Sequence, residues 1–254
     1  MNNKKNKIFD IEVVPLSKKI ILEKILKFIE KPKGFFHIVS LNPENLVIAQ
    51  ENYYFKKVLC QAPLKIVDGF GIVIASKILG FEAGERIAGV DLMKELIDLA
   101  SKIRLRVMLI GGRPELAKSI TVCYQKKYPE ARFLGIEGIK DIKNKNKIEI
   151  LKEEKEIFKI VADFKPQVVF VAFGSPYQEL WIERHKNKFD GCVVMGVGGG
   201  FDFLSGKVIR APKIIRKIGF EWLFRLLRQP WRWKRQLRLI KFLWLVVKES
   251  IKKS

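Results

Sequence analysis

The chain has 254 residues, of which 48% are hydrophobic, so it can bury a proper core as one large domain or as one domain with an appendage. Its 49 lysines and arginines against 27 acidic residues leave a net charge of +22, which indicates a polyanionic partner: nucleic acid, acidic lipid or a diphosphate-bearing substrate. Residues 206–254 contain 15 basic and two acidic residues and therefore carry +13 of this excess.

Three cysteines, Cys60, Cys123 and Cys192, are too few and too widely spaced for a disulfide framework or a zinc site, and we expect them to be buried thiols in a reducing compartment. The N-terminal residues lack the apolar core of a signal peptide, and no segment approaches the roughly 20 apolar residues of a membrane span. The sequence therefore predicts a protein of the cytosol or of the cytosolic face of a membrane.

Strand-like and helix-like runs alternate along the chain, which predicts a mostly parallel, Rossmann-like α/β sheet with helices on both faces. The predicted strands are residues 35–41, 64–67, 105–110, 131–136, 168–173 and 192–197. The predicted helices are residues 18–30, 43–53, 71–79, 90–101, 114–127, 148–164 and 177–185.

The carboxylate of Asp68 stands between the predicted strand 64–67 and the predicted helix 71–79. Since α/β folds bind their ligands at the carboxyl ends of their strands, Asp68 is a candidate functional residue. The alternative is that Asp68 only caps the helix, because aspartate is a favoured N-cap residue.

Three later strands end in glycine-containing turns that lead into helices, an arrangement that directs free backbone amides at an anion. The turns contain Gly111-Gly112, Gly174-Ser175-Pro176 and Gly198-Gly199-Gly200. Their spacing is neither that of a dinucleotide fingerprint nor that of a P-loop, and any one of them alone is better explained as an ordinary tight turn. Together they indicate a nucleotide-like ligand over the strand ends.

The basic C-terminal segment contains two amphipathic stretches, residues 214–227 and a second one after Pro230. Apolar residues recur in the second stretch at helical spacing, beside lysines and arginines, and this pattern is typical of a helix that lies on an anionic membrane. The expected membrane-contacting residues are Trp231, Trp233, Leu237, Ile240, Trp244 and Val247. The alternative is a helix packed on the core or on a partner.

Six blocks of the sequence stand in the order and at the spacing of a known family. They are Ser40-Leu41-Asn42-Pro43-Glu44, Val67-Asp68-Gly69-Phe70-Gly71, Glu85-Arg86-Ile87-Ala88-Gly89-Val90-Asp91-Leu92, Gly174-Ser175-Pro176-Tyr177-Gln178-Glu179, Gly196-Val197-Gly198-Gly199-Gly200-Phe201-Asp202, and Gly206-Lys207 with Arg210-Ala211-Pro212. On these blocks the chain resembles the WecG/TagA/CpsF glycosyltransferases over roughly residues 8–240, and most closely the TagA branch, which makes the linkage unit of wall teichoic acid.

The resemblance implies an inverting glycosyltransferase that uses a UDP-sugar donor and a polyprenyl-diphosphate-linked N-acetylglucosamine acceptor. In the TagA branch the sugar is N-acetylmannosamine, joined by a β-1,4 linkage to the N-acetylglucosamine that the undecaprenyl diphosphate carries. The alternative donors are UDP-N-acetylmannosaminuronic acid and UDP-glucose, for a different surface polysaccharide. We expect residues 1–205 to form the catalytic domain and residues 206–254 a membrane-docking appendage at the cytoplasmic face of the bacterial plasma membrane. A tail (residues 206–254) that closes over the site, together with an apolar helix surface elsewhere, would also favour a homo-oligomer.

The same resemblance implies that Asp68 is the general base for the acceptor hydroxyl, which agrees with the need of inversion for one base opposite the leaving group. No Asp-X-Asp pair is present to hold a metal, so we expect no metal and no cofactor, and Arg86 is the candidate to neutralise the leaving diphosphate. The alternative for Arg86 is a surface ion pair with Glu82 or Glu85. Asp91 is interpreted as a cap or a supporting group.

Asn42 lies in a block that lines the active site in the family, and it also suits a helix N-cap. Ser40 keeps a hydroxyl where threonine is common, whereas Tyr177 stands where lysine is frequent, which argues against a phosphate contact there. Gln178 can offer its amide to the donor, and Asp202 can meet ribose or sugar hydroxyls or cap a turn. The other expected substrate-binding residues are the glycines Gly111, Gly112, Gly174 and Gly199 and the tail arginines Arg210, Arg216, Arg225 and Arg228.

Two other classes of protein fit parts of the sequence. A nucleic-acid-binding protein would explain the net charge, but no recognised DNA or RNA motif is present and the charge lies along an amphipathic stripe. An NAD-dependent oxidoreductase would suit the alternating strands and helices but lacks the dinucleotide fingerprint. The expected partners are therefore a UDP-sugar, the lipid-linked acceptor and an anionic membrane surface, and no nucleic acid.

Overall fold

The six strands predicted from the sequence form one parallel sheet in the part of the chain that the structure describes. That structure is a computed structural model, and it describes residues 6–139, 142, 147–217, 219–230 and 233–253. A short antiparallel hairpin of β1 (Lys7–Ile8) and β2 (Ile11–Glu12) precedes the sheet. The sheet strands are β3 (Phe36–Leu41), β4 (Leu64–Val67), β5 (Arg106–Gly111), β6 (Arg132–Ile136), β7 (Val168–Ala172) and β8 (Val193–Gly196). Their order is β4-β3-β8-β7-β5-β6.

Helices connect the strands and cover both faces of the sheet, which confirms the predicted fold class. Those before β7 are α1 (Lys18–Glu30), α2 (Pro43–Glu51), α3 (Tyr53–Gln61), α4 (Phe70–Ile78), α5 (Gly89–Lys102), α6 (Leu116–Lys127) and α7 (Lys147–Phe164). Those after it are α8 (Tyr177–Arg184), α9 (Gly200–Leu204), α10 (Lys213–Lys217), α11 (Glu221–Arg228) and α12 (Trp233–Lys253).

The predicted helix 43–53 ends two residues earlier, at Glu51 of α2, and a helix that the sequence did not predict, α3, begins at Tyr53. Asn52 is in an extended conformation, and its side chain accepts a hydrogen bond from the backbone N–H of Phe55 at 2.9 Å. It therefore ends α2 and caps α3. The amphipathic stretch 214–227 is likewise divided into α10 and α11, with Gly219 at a φ of +84° between them.

Side chains from alternating positions of the strands supply separate apolar layers. Ile38 and Ile66 join a cluster with α1, α5 and α6, whereas their neighbours Val39 and Val67 join a cluster with α2, α3, α4 and the hairpin. A third cluster lies against α7 and α8. Because a strand directs successive side chains to opposite faces, continuous apolar runs become strands that are buried on both sides.

The C-terminal helix α12 packs on the α/β core through a stripe of its own. Phe242 and Val246 are fully buried against α2 and α4, and Phe242 meets the ring of Phe9 edge to face at 5.8 Å. The backbone N–H of Phe9 donates to Glu249 at 3.0 Å. The packed-helix alternative is therefore correct for this face of the tail.

A second apolar stripe of α12 remains exposed, and it is the one that the sequence assigns to membrane contact. Trp233, Leu237, Ile240, Trp244 and Val247 are each at least half exposed. Trp231, assigned with them, lies outside the described residues. On the flank of α12, the guanidinium of Arg238 pairs with Glu44 at 2.6 Å, and the ammonium group of Lys241 pairs with Glu51.

The expectation of three buried thiols was only partly correct, since Cys192 is buried and Cys60 and Cys123 are exposed on helix surfaces. Across the described ranges, no helix combines the length and the apolar character that a membrane crossing requires.

Candidate active site

A cavity of about 580 Å³ opens over the carboxyl ends of β3, β4, β7 and β8, where α/β folds bind their ligands. Eight of the predicted site residues line it: Ser40, Asn42, Asp68, Arg86, Gly174, Gln178, Gly199 and Arg225. The other six, Gly111, Gly112, Asp202, Arg210, Arg216 and Arg228, lie outside its lining.

Two glycines bring the start of α4 against the start of α2. A β-carbon on Gly69 would lie 2.6 Å from Cδ of Pro43, and one on Gly71 would lie 2.6 Å from Cγ of the same ring. Asn42 caps α2 by accepting a hydrogen bond from the backbone N–H of Asn45 at 2.8 Å, which confirms its predicted capping role. This close approach puts Asn42 beside the Asp68-Gly69 turn.

The carboxylate of Asp68 faces the first turn of α5 and does not cap α4. The N-cap residue of α4 is Gly69, and α4 has no side-chain cap. The side chain of Asp68 accepts a hydrogen bond from the backbone N–H of Gly89, the first residue of α5. A β-carbon on Gly89 would lie 3.5 Å from Oδ2 of Asp68 and 3.3 Å from Oγ of Ser40, so both side chains meet at this point.

Burial raises the pKa of Asp68 to about 6. The hydrogen bond from Gly89 opposes this rise in pKa, whereas the nearby carboxylate of Glu221 adds to it, and the charges of Arg86 and Arg210 lower it. Asp68 is therefore ionised at neutral pH and is a stronger base than a carboxylate in water.

Arg86 enters the same cavity from the strand-like segment beside β4. Its backbone forms a parallel bridge with Val67, and its Nη2 donates to the carbonyl oxygen of Arg216 at 2.9 Å. The carboxylate of Glu85 instead accepts the backbone N–H of Lys18 at 2.7 Å. Arg86 thus links the edge of the sheet that carries Asp68 to the tail.

The tail is held over α5 by a small network of charged side chains. The guanidinium of Arg210 binds both carboxylate oxygens of Asp91, and its Nε lies 3.2 Å from Glu221. Arg216 lies 3.8 Å from the same aspartate. Burial raises the pKa of Asp91, but Arg210 and the other arginines outweigh this and lower it. Asp91 is therefore a supporting group that binds the tail, and it does not cap α5, which has no side-chain cap.

Arg225 and Arg228 differ in their placement, although both lie on α11. The guanidinium of Arg225 stacks over the ring of Phe203 at 4.5 Å and lines the cavity near Gly199. That of Arg228 stacks over Phe224 at 5.3 Å, outside the cavity lining.

The side chain of Gln178 holds two loops together at the cavity floor. Its Oε1 accepts the backbone N–H groups of Gly174 at 3.1 Å and of Gly198 at 2.9 Å, and its Nε2 donates to Glu179 at 2.8 Å. These bonds join the loop after β7 to the loop after β8. Glu179, which the sequence analysis assigned no role, is buried, and burial raises the pKa of its carboxyl group.

The remaining predicted residues lie beside the cavity and not in its lining. Gly111 and Gly112 have φ values of +92° and +85°, and the rings of Phe173 and Phe201 pack against them. Asp202 accepts from both Nε and Nη2 of Arg113, at 3.0 and 2.6 Å, so an ion pair occupies the carboxylate that was expected to meet hydroxyl groups.

One part of the cavity wall is apolar, which the sequence did not indicate. Apart from Phe203, which lies under Arg225, its large apolar side chains are Phe70, Ile74, Phe220, Trp222, Leu239 and Leu243. Within the described residues, no group of three or more His, Cys, Asp or Glu side chains is placed to hold a metal ion.

Comparison with known proteins gives relatives along almost the whole chain. The model of the glycosyl transferase WecG/TagA/CpsF family matches residues 6–254. The N-acetylglucosaminyldiphosphoundecaprenol N-acetyl-beta-D-mannosaminyltransferase of Bacillus subtilis is 33% identical over 217 residues, which cover 85% of this chain and 81% of the relative. Proteins of the same name from Bacillus spizizenii and Staphylococcus aureus are each 34% identical over 223 residues. These alignments cover 88% and 85% of this chain, and 82% and 83% of the two relatives.

The electrostatics of the cavity lead to a prediction about Asp68. We expect its carboxyl group to titrate with a pKa near 6, and the variant Glu221→Gln to lower that pKa because it removes a neighbouring negative charge. An NMR titration of the protein with isotope-labelled aspartate residues measures this pKa. The control variant Glu23→Gln makes the same charge change on α1, away from the cavity, and should leave the pKa of Asp68 unchanged.

The same pKa has a consequence for stability. Because the pKa of Asp68 is higher in the folded state than the value of 3.8 without burial, its neutral form favours folding. That contribution is complete below about pH 4 and is lost as the pH rises through about 6. As the pH rises from 4 to 8, the free energy of unfolding of Asp68→Asn should therefore increase relative to that of the parent protein. If variant and parent differ in unfolding free energy by the same amount at pH 4 and at pH 8, the pKa of Asp68 is not raised.

Proposed function

Because this chain belongs to the WecG/TagA/CpsF family of glycosyltransferases, we propose that it transfers N-acetylmannosamine from UDP-N-acetylmannosamine to N-acetylglucosamine on undecaprenyl diphosphate. The name shared by the three relatives favours this donor over UDP-N-acetylmannosaminuronic acid and UDP-glucose. The observation that carries the mechanism is the partly buried carboxylate of Asp68, which lines one cavity together with Arg86.

In this mechanism Asp68 is the general base. It takes the proton of the acceptor hydroxyl while the hydroxyl oxygen attacks the anomeric carbon of the donor. The bond between that carbon and the diphosphate oxygen breaks on the opposite face, and UDP leaves with the electron pair. One displacement inverts the anomeric configuration. The raised pKa of Asp68 suits this role, because a base near the working pH accepts a proton most effectively while still ionised.

The charge that develops on departing UDP needs positive groups near the anomeric carbon. Arg86 and Arg225 both line the cavity, and a guanidinium can form two parallel hydrogen bonds to a phosphate. We propose that these arginines neutralise the diphosphate without a metal ion. Arg210 and Arg216 contribute indirectly, because their bonds to Asp91 keep the tail over the cavity.

The tail also supplies a means to reach a lipid-linked acceptor. The exposed stripe of α12 combines tryptophans with aliphatic side chains, and Lys248 lies beside Trp244, its ammonium group 5.1 Å from the ring. Such a helix binds an anionic bilayer through apolar burial and electrostatic attraction. We propose that residues 206–254 dock the catalytic domain on the membrane in this way.

The first test of the function is the release of UDP. The parent protein should release UDP only when UDP-N-acetylmannosamine and an acceptor carrying N-acetylglucosamine diphosphate are both present. Asp68→Asn keeps the size of the side chain but removes its basicity, so turnover should fall by about two to four orders of magnitude. The exposed aspartate of α7 gives the control, Asp163→Asn, which should keep full turnover. Near-normal turnover of Asp68→Asn would disprove the assignment of the base.

A second test concerns the metal. If arginines neutralise the diphosphate, EDTA should leave the rate of UDP release unchanged, and Arg86→Ala should reduce turnover about a hundredfold or more. Arg86→Lys should recover only part of this loss, because an ammonium group lacks the paired donors of a guanidinium. A strict requirement for Mg²⁺ or Mn²⁺ would overturn the proposal.

The third test measures docking on vesicles that contain anionic lipid. Ile240→Ser combined with Trp244→Ser should weaken binding strongly, and added salt should weaken the binding of the parent protein. Ile148→Ser removes an even more exposed apolar side chain from α7 and should have no effect. Unchanged vesicle binding of the double variant would exclude this stripe as the docking surface. If the variant instead loses a homo-oligomer in sedimentation, the stripe joins two copies of the chain.

A further inference from the structure

The apolar wall of the cavity is made by two helices and the turn before a third. Phe70 and Ile74 lie one turn apart on α4, and Leu239 and Leu243 lie one turn apart on α12. Phe220 and Trp222 complete the wall at the start of α11. The wall and the carboxylate of Asp68 belong to the same cavity, so a single ligand can contact both.

These side chains are only partly covered by packing within the chain. Phe70, Ile74, Trp222 and Leu243 are each between 37% and 40% exposed, and Phe220 is 47% exposed. A contiguous group of exposed apolar side chains in a concave surface is typical of a site that binds an apolar ligand. The wall is also held in shape, because a β-carbon on Gly219 would lie 2.5 Å from the ring of Phe70, so this turn rests directly on α4.

The position of the wall on α12 indicates where such a ligand comes from. At about 100° per residue, the pair Leu239 and Leu243 lies about 60° from the buried pair Phe242 and Val246, and about 100° from the outward pair Ile240 and Trp244. The cavity face of α12 therefore adjoins the face proposed to dock on the membrane. A hydrocarbon chain can therefore pass from the bilayer along this helix into the cavity, beside Gln236, which also lines it.

We propose that the wall binds the isoprenoid units of the acceptor lipid that are nearest to its diphosphate. This inference rests on the proposed function. The acceptor joins a sugar, a diphosphate and a hydrocarbon in series, and one cavity contains the carboxylate of Asp68, guanidinium groups that can bind phosphate and an apolar wall. The cavity thus contains a group of matching chemistry for each part of the acceptor. The lipid leaves the bilayer partway, and its first units anchor the acceptor sugar at the base.

The inference predicts a dependence on acceptor chain length that needs no membrane. We would measure kcat/KM for UDP release with N-acetylglucosamine diphosphates that carry one, two, three or four isoprene units, below their micellar concentrations and without vesicles. For the parent protein kcat/KM should rise about tenfold or more over the first units, through KM, as apolar contacts with the wall are added. It should then level off when the chain extends beyond the wall.

Two wall variants and one matched control test the location. Ile74→Ser and Leu243→Ser should each flatten the dependence on chain length and raise KM for the longer acceptors about three- to tenfold, with the one-unit acceptor little affected. The control Ile78→Ser lies one turn further along α4, is 44% exposed against 39% for Ile74, and is outside the cavity lining. It should retain the full dependence of the parent protein.

The outcomes separate this inference from the function on which it rests. Transfer that is equally efficient with all chain lengths would overturn the isoprenoid site and leave the glycosyltransferase intact. A full chain-length dependence in both wall variants would also overturn it, because the contacts would then lie elsewhere. If no acceptor supports the release of UDP from UDP-N-acetylmannosamine by the parent protein, both the function and the inference fail.

Discussion

The arrangement of the cavity depends on the contact of two glycines with one proline ring. Gly69 and Gly71 let the first turn of α4 approach Pro43 more closely than any residue with a β-carbon allows. This contact sets the distance between α2 and α4, the two helices on which α12 packs through Phe242. It also brings the Asp68 turn beside Asn42. The base, the neighbouring polar group and the support for the tail therefore share one steric constraint.

A second constraint is electrostatic, and it links the tail to the strength of the base. Two groups that act on the pKa of Asp68, Glu221 and Arg210, belong to the tail, and they act in opposite directions. The two are bonded to each other, and Arg210 is also bonded to Asp91 of the catalytic domain. The pKa of Asp68 therefore depends on the position of the tail, which couples the proposed membrane docking to the chemistry at the strand ends.

Most of the fold was predictable from the sequence, because burial on both faces leaves continuous apolar runs. The predicted strand 64–67 and helix 18–30 agree with β4 and α1 to the residue. The break at Asn52 was missed, since a polar residue that ends one helix and caps the next does not disturb the apolar periodicity. The hairpin was missed as well, because each of its strands has two residues and carries no periodic signal.

The site was predictable only in part, and the reason lies in the range of the interactions. Asp68 and Asn42 follow strands directly, so local sequence places them at the catalytic edge. The bonds of Gln178 join two loops, and Glu221 reaches the cavity from the tail, so neither role follows from local pattern. The wall was missed because α12 has apolar side chains on three faces, and its periodicity alone does not say which face meets the core.

The net charge of the tail overstates the electrostatic field that the tail produces at long range. Residues 206–254 carry a net charge of +13, and four of their basic residues pair with carboxylates: Arg210, Arg216, Arg238 and Lys241. Arg210 also pairs with Glu221 of the tail itself, whereas the other partner carboxylates lie on α2 and α5. Their charges are compensated locally and add little to a long-range field. These four basic residues therefore hold the tail in place and do not add to a surface for nucleic acid. In the proposed docking on a membrane, apolar burial along the outer stripe then supplies the larger part of the attachment, and the remaining cations set the preference for anionic lipid.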